Sequence, residues 1–332
     1  MVLDRIVSKP HDRLALALSE DIAAVNSLIR LRMASEHAPR IPEVTAHLVD
    51  AGGKRLRPML TLAAAQMCGY TGPYHIHLAA TVEFIHTATL LHDDVVDASA
   101  QRRGRPTANL LWDNQSSVLV GDYLFSRAFQ LMVETGNLRV LDILANASAT
   151  IAEGEVLQLS AARDLKTTEE IYFKVIRGKT AALFAAAMEV GAVIAEQDEK
   201  TVQALLDYGD ALGISFQIVD DLLDYTGTDA TGKNIGDDFR ERKLTLPVIK
   251  AVAAADADEL VFWQKCIGKG KQVEGDLEHA LTLMHAHNTL QNTRTQALYW
   301  AGKAKESLDV MPDHALKTML MDLSDYVVAR LN

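Results

Sequence analysis

A chain of 332 residues with 48% hydrophobic content can bury a sizeable core without cross-links. Its formal net charge of -11 excludes nucleic acid and anionic membranes as main partners, because both are held by concentrated Lys and Arg. Cys68 and Cys266 are the only cysteines, without metal-type spacing, so neither a disulfide framework nor a zinc knuckle is indicated and a reducing cytoplasm fits.

The N-terminal stretch MVLDRIVSKPHDRLALAL sets acids and a proline before any apolar run, and no segment reaches the length of a membrane span. Apolar residues at three-and-four spacing then predict helices near 11–35, 56–68, 75–98, 116–134, 137–163, 168–194, 200–225 and 236–256, with three more to the end. Turn chemistry separates these blocks at Gly52-Gly53, 69–73, 103–107, Gly136-Asn137, 227–232, 268–270 and Pro312. There is no proline between Pro106 and Pro247, no convincing strand in that stretch, and no linker or repeat period. The expectation is a single all-α domain spanning 1–332.

Acidic residues interrupt the apolar pattern twice, at LLHDDVVD (90–97) and QIVDDLLDYT (217–226). On a helix Asp93 and Asp97 share a face, as do Asp220 and Asp224, with Asp94 turned aside. Like charges at that spacing repel by about a few tenths of a kcal/mol in water and by more among apolar neighbours. A bound cation removes the conflict, and oxygen-only ligands suit Mg²⁺, which takes one or two carboxylates and completes its shell with water and phosphate. A lone DDxxD on a polar helix is more simply a solvated acidic face. Two clusters flanked by Leu90, Leu91, Val95, Val96 and by Ile218, Val219, Leu222, Leu223 reverse that preference.

Magnesium between carboxylates implies a phosphorylated substrate, and basic residues recur in spite of the acidic total. GGKRLRP supplies Lys54, Arg55 and Arg57, QRRGRPT supplies Arg102, Arg103 and Arg105, RGKT supplies Lys179 beside Thr180, TGKN supplies Lys233 and RERKLTLP supplies Lys243. GTDATGKN (227–234) nearly spells a nucleotide-binding loop, but a helix precedes it and Asn234 stands where that motif needs a hydroxyl. Its glycines read instead as a turn folding Lys233 back over a cavity.

Taken together, GGKRLRP, LLHDDVVD, RRGRPT, GKT, FQIVDDLLD, GKNIGDD and RKLTLP resemble the trans-isoprenyl diphosphate synthases of long-chain polyprenyl type, in family order over most of the chain. Asn234, Asp237 and Arg242 depart from the family pattern. The resemblance implies a bundle of antiparallel helices around a deep central cavity, a homodimer, and head-to-tail joining of isopentenyl diphosphate to an allylic diphosphate such as farnesyl diphosphate. By position it implies that Asp93, Asp97 and Asp220 hold three Mg²⁺, with Asp94, Asp221 and Asp224 in support. Lys54, Arg57, His86 and Arg103 would grip isopentenyl diphosphate. Arg102, Lys179, Thr180, Gln217, Lys233 and Lys243 would line the allylic side, and the catalytic set is Asp93, Asp97, Arg102, Lys179, Lys233 and Lys243. The released diphosphate is the nearest base for the final proton, and His92 reads as a structural helix residue.

Product length is read one turn before Asp93, where side chains project along the growing tail. Ala88 and Thr89 occupy that turn. In short-chain members of the family a bulky aromatic closes the floor there, so small residues imply a product of about eight to ten isoprene units, the length of a ubiquinone side chain. Phe84, Phe125, Phe129 and Met132 are candidates for a deeper stop. Four other readings compete: a shorter-chain synthase, a terpene cyclase, disfavoured by 6% aromatic content, a non-catalytic synthase subunit, which would tolerate losing acids or lysines, and a magnesium-dependent phosphohydrolase, for which no residue stands out to activate water.

Overall fold

The computed structural model describes residues 9–50, 53–227 and 235–331. Helices α1 (Pro10–Ala17), α2 (Ser19–Met33), α3 (Arg40–Asp50), α4 (Leu56–Met67) and α5 (Tyr74–Val96) lead to a minimal hairpin, β1 (Gln101–Arg102) and β2 (Arg105–Pro106). There follow α6 (Ala108–Leu111), α7 (Asn114–Glu134), α8 (Leu138–Ala161) and α9 (Glu169–Ile176). A π-helical turn, Arg177–Ala181, joins α9 to α10 (Ala182–Ile194), and α11 runs over Glu199–Thr226. The remainder is α12 (Asp237–Arg240), α13 (Leu246–Ala254), α14 (Ala257–Trp263), a second π-turn (Gln264–Gly268), α15 (Asp276–Ala286), α16 (Thr289–Ser307) and α17 (Ala315–Ala329).

The chain divides into two compact units. The first comprises Met1–Ser148, Leu183–Leu206 and Val310–Leu320. Its hub is α5, against which α2, α4 and α7 pack. The run from Pro58 to Ala65 on α4 is buried throughout. Gly191 of α10 brings that helix so near α4 that a Cβ would stand 2.6 Å from the Ala64 methyl. Asp113 starts α7 by accepting from Ser116 N at 2.5 Å, a side-chain cap on one of the N–H groups a helix leaves unpaired.

The second unit comprises Ala149–Ala182, Asp207–Asp309 and Met321–Asn332. Leu222, Phe239, Val248, Trp263, Ile267 and Met284 meet in its core. Capping again follows the sequence: Thr168 accepts from Ile171 N at 3.3 Å, and Asp256 and Glu259 form a reciprocal capping box on α14.

The predicted blocks fall on helices, with local corrections. The block 11–35 is broken at Leu18, 168–194 by the π-turn, and 236–256 ahead of Pro247, which sits in the tolerant first turn of α13. Helix α3 is absent from the predicted blocks; it carries Pro42 in its first turn, where proline is admissible. Among the described residues four α-helices, not three, follow residue 256. The turn at 103–107 forms a hairpin whose central Arg103 and Gly104 both have positive φ, 53° and 74°, the requirement of the tight turn that matches strand twist.

Candidate active site

Both acidic clusters lie at the C-terminal ends of long helices. Asp93 and Asp94 close α5, and Asp97 follows as its cap, donating its N–H to Asp93 O at 2.8 Å. Asp220, Asp221 and Asp224 occupy the last two turns of α11. Unpaired carbonyls give such helix ends a partial negative charge, so carboxylates there are disfavoured by the fold itself.

In the first unit Asp94 is fully buried and receives the Arg102 guanidinium as a clamp, Nε to Oδ1 at 2.9 Å and Nη2 to Oδ1 at 2.7 Å. This fixes the hairpin against α5 and turns Asp94 away from the face that Asp93 and Asp97 share. A pocket beside the hairpin is lined by Arg55, Glu83, His86, Leu90, Arg102 and Arg103. At its rim the Arg103 guanidinium packs close over Gly53: a Cβ there would lie 2.8 Å from Arg103 Nη1.

Arg57 reaches His86 Nε2 at 3.2 Å and lies 4.5 Å over the Phe184 ring. Burial pushes its guanidinium down to about 10, still charged at neutral pH, and its buried Nε has no hydrogen-bond partner among the described residues. Burial foremost, then Arg57 and Arg103, holds His86 well below the usual histidine value. The imidazole is therefore neutral, accepts from Arg57 on Nε2 and carries its proton on Nδ1. Lys54 is exposed on the same loop. His92 bridges α5 to α7: its Nε2 lies 3.1 Å from Val118 O, and its ring fills the space a Cβ on Gly121 would take. That is a structural role.

In the second unit the π-turn presents Lys179 and Thr180. Such a turn carries an extra residue per helical turn and is frequent at functional sites. Gly154 on α8 makes room for it, since a Cβ there would stand 2.7 Å from Lys179 N and 2.9 Å from Gly178 Cα. Gly154→Ala pushes backbone against backbone and should cost about 1–3 kcal/mol, read as a fall in Tm by calorimetry. Lys179 Nζ pairs with Glu155 at 2.9 Å. Thr180 donates to Gln217 Oε1 at 2.7 Å, Gln217 Nε2 donates to Asp221 Oδ1 at 2.8 Å, and the buried Tyr172 hydroxyl donates to Asp221 Oδ2 at 2.6 Å. Asp224 accepts from Asp237 N and Asp238 N at 3.2 and 3.0 Å, tying α12 to the end of α11.

The Arg242 departure now has a reason. Its φ is +64°, a conformation glycine adopts freely. The arginine offsets the strain by donating Nε to Ile267 O at 2.7 Å and Nη2 to Gly268 O at 2.5 Å. Lys243 follows, its Nζ 2.6 Å from Glu241. Lys233 and Asn234 lie outside the described residues.

Sequence reasoning named Arg55 only as part of a basic loop and Asp238 only within GKNIGDD, and missed Glu83, Glu155 and Tyr172. Glu83 carried a signal, a lone acid in the apolar run LAATVEFIHTA. Tyr172 and Glu155 carried none, since a helical Tyr or Glu is ordinary.

The donor set around α11 suits a hard divalent cation. Burial first, then the neighbouring carboxylates, raises both Asp221 and Asp238 above the ordinary range. Among the described residues no three His, Cys, Asp or Glu side chains could enclose an ion alone. The protein would supply a few carboxylate oxygens, leaving water and phosphate to complete the shell.

An all-α scaffold with two DDxxD helix ends and arginine- and lysine-bearing turns defines a diphosphate-handling enzyme. Residues 38–284 match the polyprenyl synthetase family. Octaprenyl diphosphate synthase of Escherichia coli is 43% identical over 315 residues, 94% of this chain and 96% of that protein. A decaprenyl diphosphate synthase structure from Rhodobacter capsulatus is 72% identical, covers 97% of this chain and 99% of its own, and superposes with a TM-score of 0.95. A polyprenyl synthase from Caulobacter crescentus, complexed with calcium and isoprenyl diphosphate, is 50% identical over 97% of this chain and 98% of its own, with a TM-score of 0.92. The chain belongs to the polyprenyl synthetase family and is a prenyltransferase of a metal-dependent kind.

Proposed function

We propose that this protein is a long-chain trans-polyprenyl diphosphate synthase, extending an allylic diphosphate such as farnesyl diphosphate with isopentenyl diphosphate. The observation that carries the reading is the paired placement of acid clusters at helix ends that disfavour acid, together with cationic turns in each unit. Asp93, Asp97 and Asp220 would hold three Mg²⁺, which when bound neutralise the charge growing on the departing diphosphate. Lys179, Lys233 and Lys243 act on that same charge, stabilising the transition state more than the ground state. Arg102 stays clamped to Asp94 and presents its remaining edge to the allylic diphosphate, while Thr180 and Gln217 orient it.

Arg57, Arg103, Lys54 and the neutral His86 hold isopentenyl diphosphate. The allylic C–O bond breaks with its electron pair leaving on diphosphate, the isopentenyl alkene forms the new C–C bond, and a proton passes to the released diphosphate. The apolar neighbours of the aspartates exclude water, which would otherwise capture the cation.

We take both units to belong to one catalytic domain, since unit boundaries fall inside the continuous helices α8, α11 and α17. The working form is a homodimer. Leu119, Phe129 and Val133 leave an exposed apolar stripe on α7, at 66%, 44% and 64% exposure, of the kind that marks an interface. Phe129→Asp should convert the dimer to monomer on a light-scattering column. Among the described residues no helix is long and apolar enough to cross a membrane, which fits a cytoplasmic enzyme.

The test is a pyrophosphate-release assay. Release requiring both substrates and Mg²⁺ supports the synthase; release from a single diphosphate substrate would mark a phosphohydrolase and overturn it.

A further inference from the structure

We propose that Glu83 is a positioning residue for the isopentenyl diphosphate half-site, fixing Arg55 and balancing the positive charge of Arg57 and Arg103 before substrate arrives. The inference rests on the reading of this pocket given above.

Glu83 is 5% exposed on α5 and ion-paired to Arg55 Nη1. A carboxylate so buried is tolerated only when paired. Arg55 lies at the start of α4 with φ +49°, a left-handed conformation that costs a non-glycine residue of order 1–3 kcal/mol unless its surroundings enforce it. Glu83 supplies that enforcement, with Asn26 Oδ1 accepting from Arg55 Nε at 3.4 Å. Arg103, at φ +53°, is strained in the same way beside the same pocket.

The charges count in the same direction. Arg55, Arg57, Arg102 and Arg103 surround the space. Arg102 is already neutralised by Asp94, and the other three have Glu83 as their shared buried acid. Without it they repel one another, and a diphosphate must first gather them, which weakens binding even though the pocket becomes more positive. A purely structural loss would instead reduce the active fraction and touch both substrates alike.

The experiment is steady-state kinetics of wild type, Glu83→Gln and Glu83→Asp, varying isopentenyl and farnesyl diphosphate separately. Glu83→Gln should raise the isopentenyl KM by about tenfold or more and leave the farnesyl KM within about twofold, with Glu83→Asp in between. An isopentenyl KM that is unchanged or lower, or an equal rise for both substrates, overturns the proposal. Should Glu83→Gln fold poorly, Arg55→Lys, which keeps the charge but shortens the fork, must give the same split. Equal KM effects on both substrates there overturn it too. Wild type without turnover in this assay would instead refute the synthase reading.

Discussion

Asp93→Ala should lower kcat/KM by at least about a thousandfold while leaving Tm in metal-free buffer unchanged or slightly raised. The two effects have opposite signs for one reason. Asp93 shares a face with Asp97 at the end of α5, where the like charge and the helix dipole each oppose it by about a few tenths of a kcal/mol. Removing the carboxylate relieves that conflict but leaves Asp97 without its partner when a divalent ion and diphosphate must be held together. Activity measured beside a thermal melt, with and without Mg²⁺, separates the outcomes. A large Tm loss in metal-free buffer would make Asp93 a structural residue, and near-normal activity would remove it from the proposed site.

Ala88→Phe should shorten the product by several isoprene units, the second large effect. Ala88 is fully buried on α5, five positions before Asp93, and its side chain projects toward the turn preceding it. A phenyl ring there closes the tail's path one turn below the proposed reaction centre. Overpacking costs about 1–3 kcal/mol, so Tm should fall as well, and product mass has to be read on protein shown to be folded. An unchanged product length in folded protein would refute the floor at Ala88. Phe84 and Met132 are buried and remain candidates for a deeper stop, whereas Phe129 is 44% exposed and faces outward.

The helices were legible because apolar spacing and turn residues act locally. The breaks inside them were not: the π-turn at 177–181 depends on Gly154 and Gly178, residues 24 apart that meet only in the fold. Helix α3 lay outside the predicted blocks and carries Pro42 in its first turn, a position that tolerates proline.

Among the site residues, the aspartates stood out because acid in an apolar run conflicts with its surroundings. Glu83 obeyed the same rule and could have been found by it. Tyr172 could not, since its role comes from a hydrogen bond to Asp221 across 49 positions. Arg55, Arg103 and Arg242 look like ordinary basic residues in sequence, and only their positive φ values show backbone strain set beside function.

The most direct measurement is mass spectrometry of the products formed from isopentenyl and farnesyl diphosphate with Mg²⁺ present and absent. The expected result is a Mg²⁺-dependent linear polyprenyl series ending at about eight to ten isoprene units, the range the small residues at 88 and 89 allow. A cyclic hydrocarbon, a product stopping at about four units, or no condensation by the purified chain would contradict it.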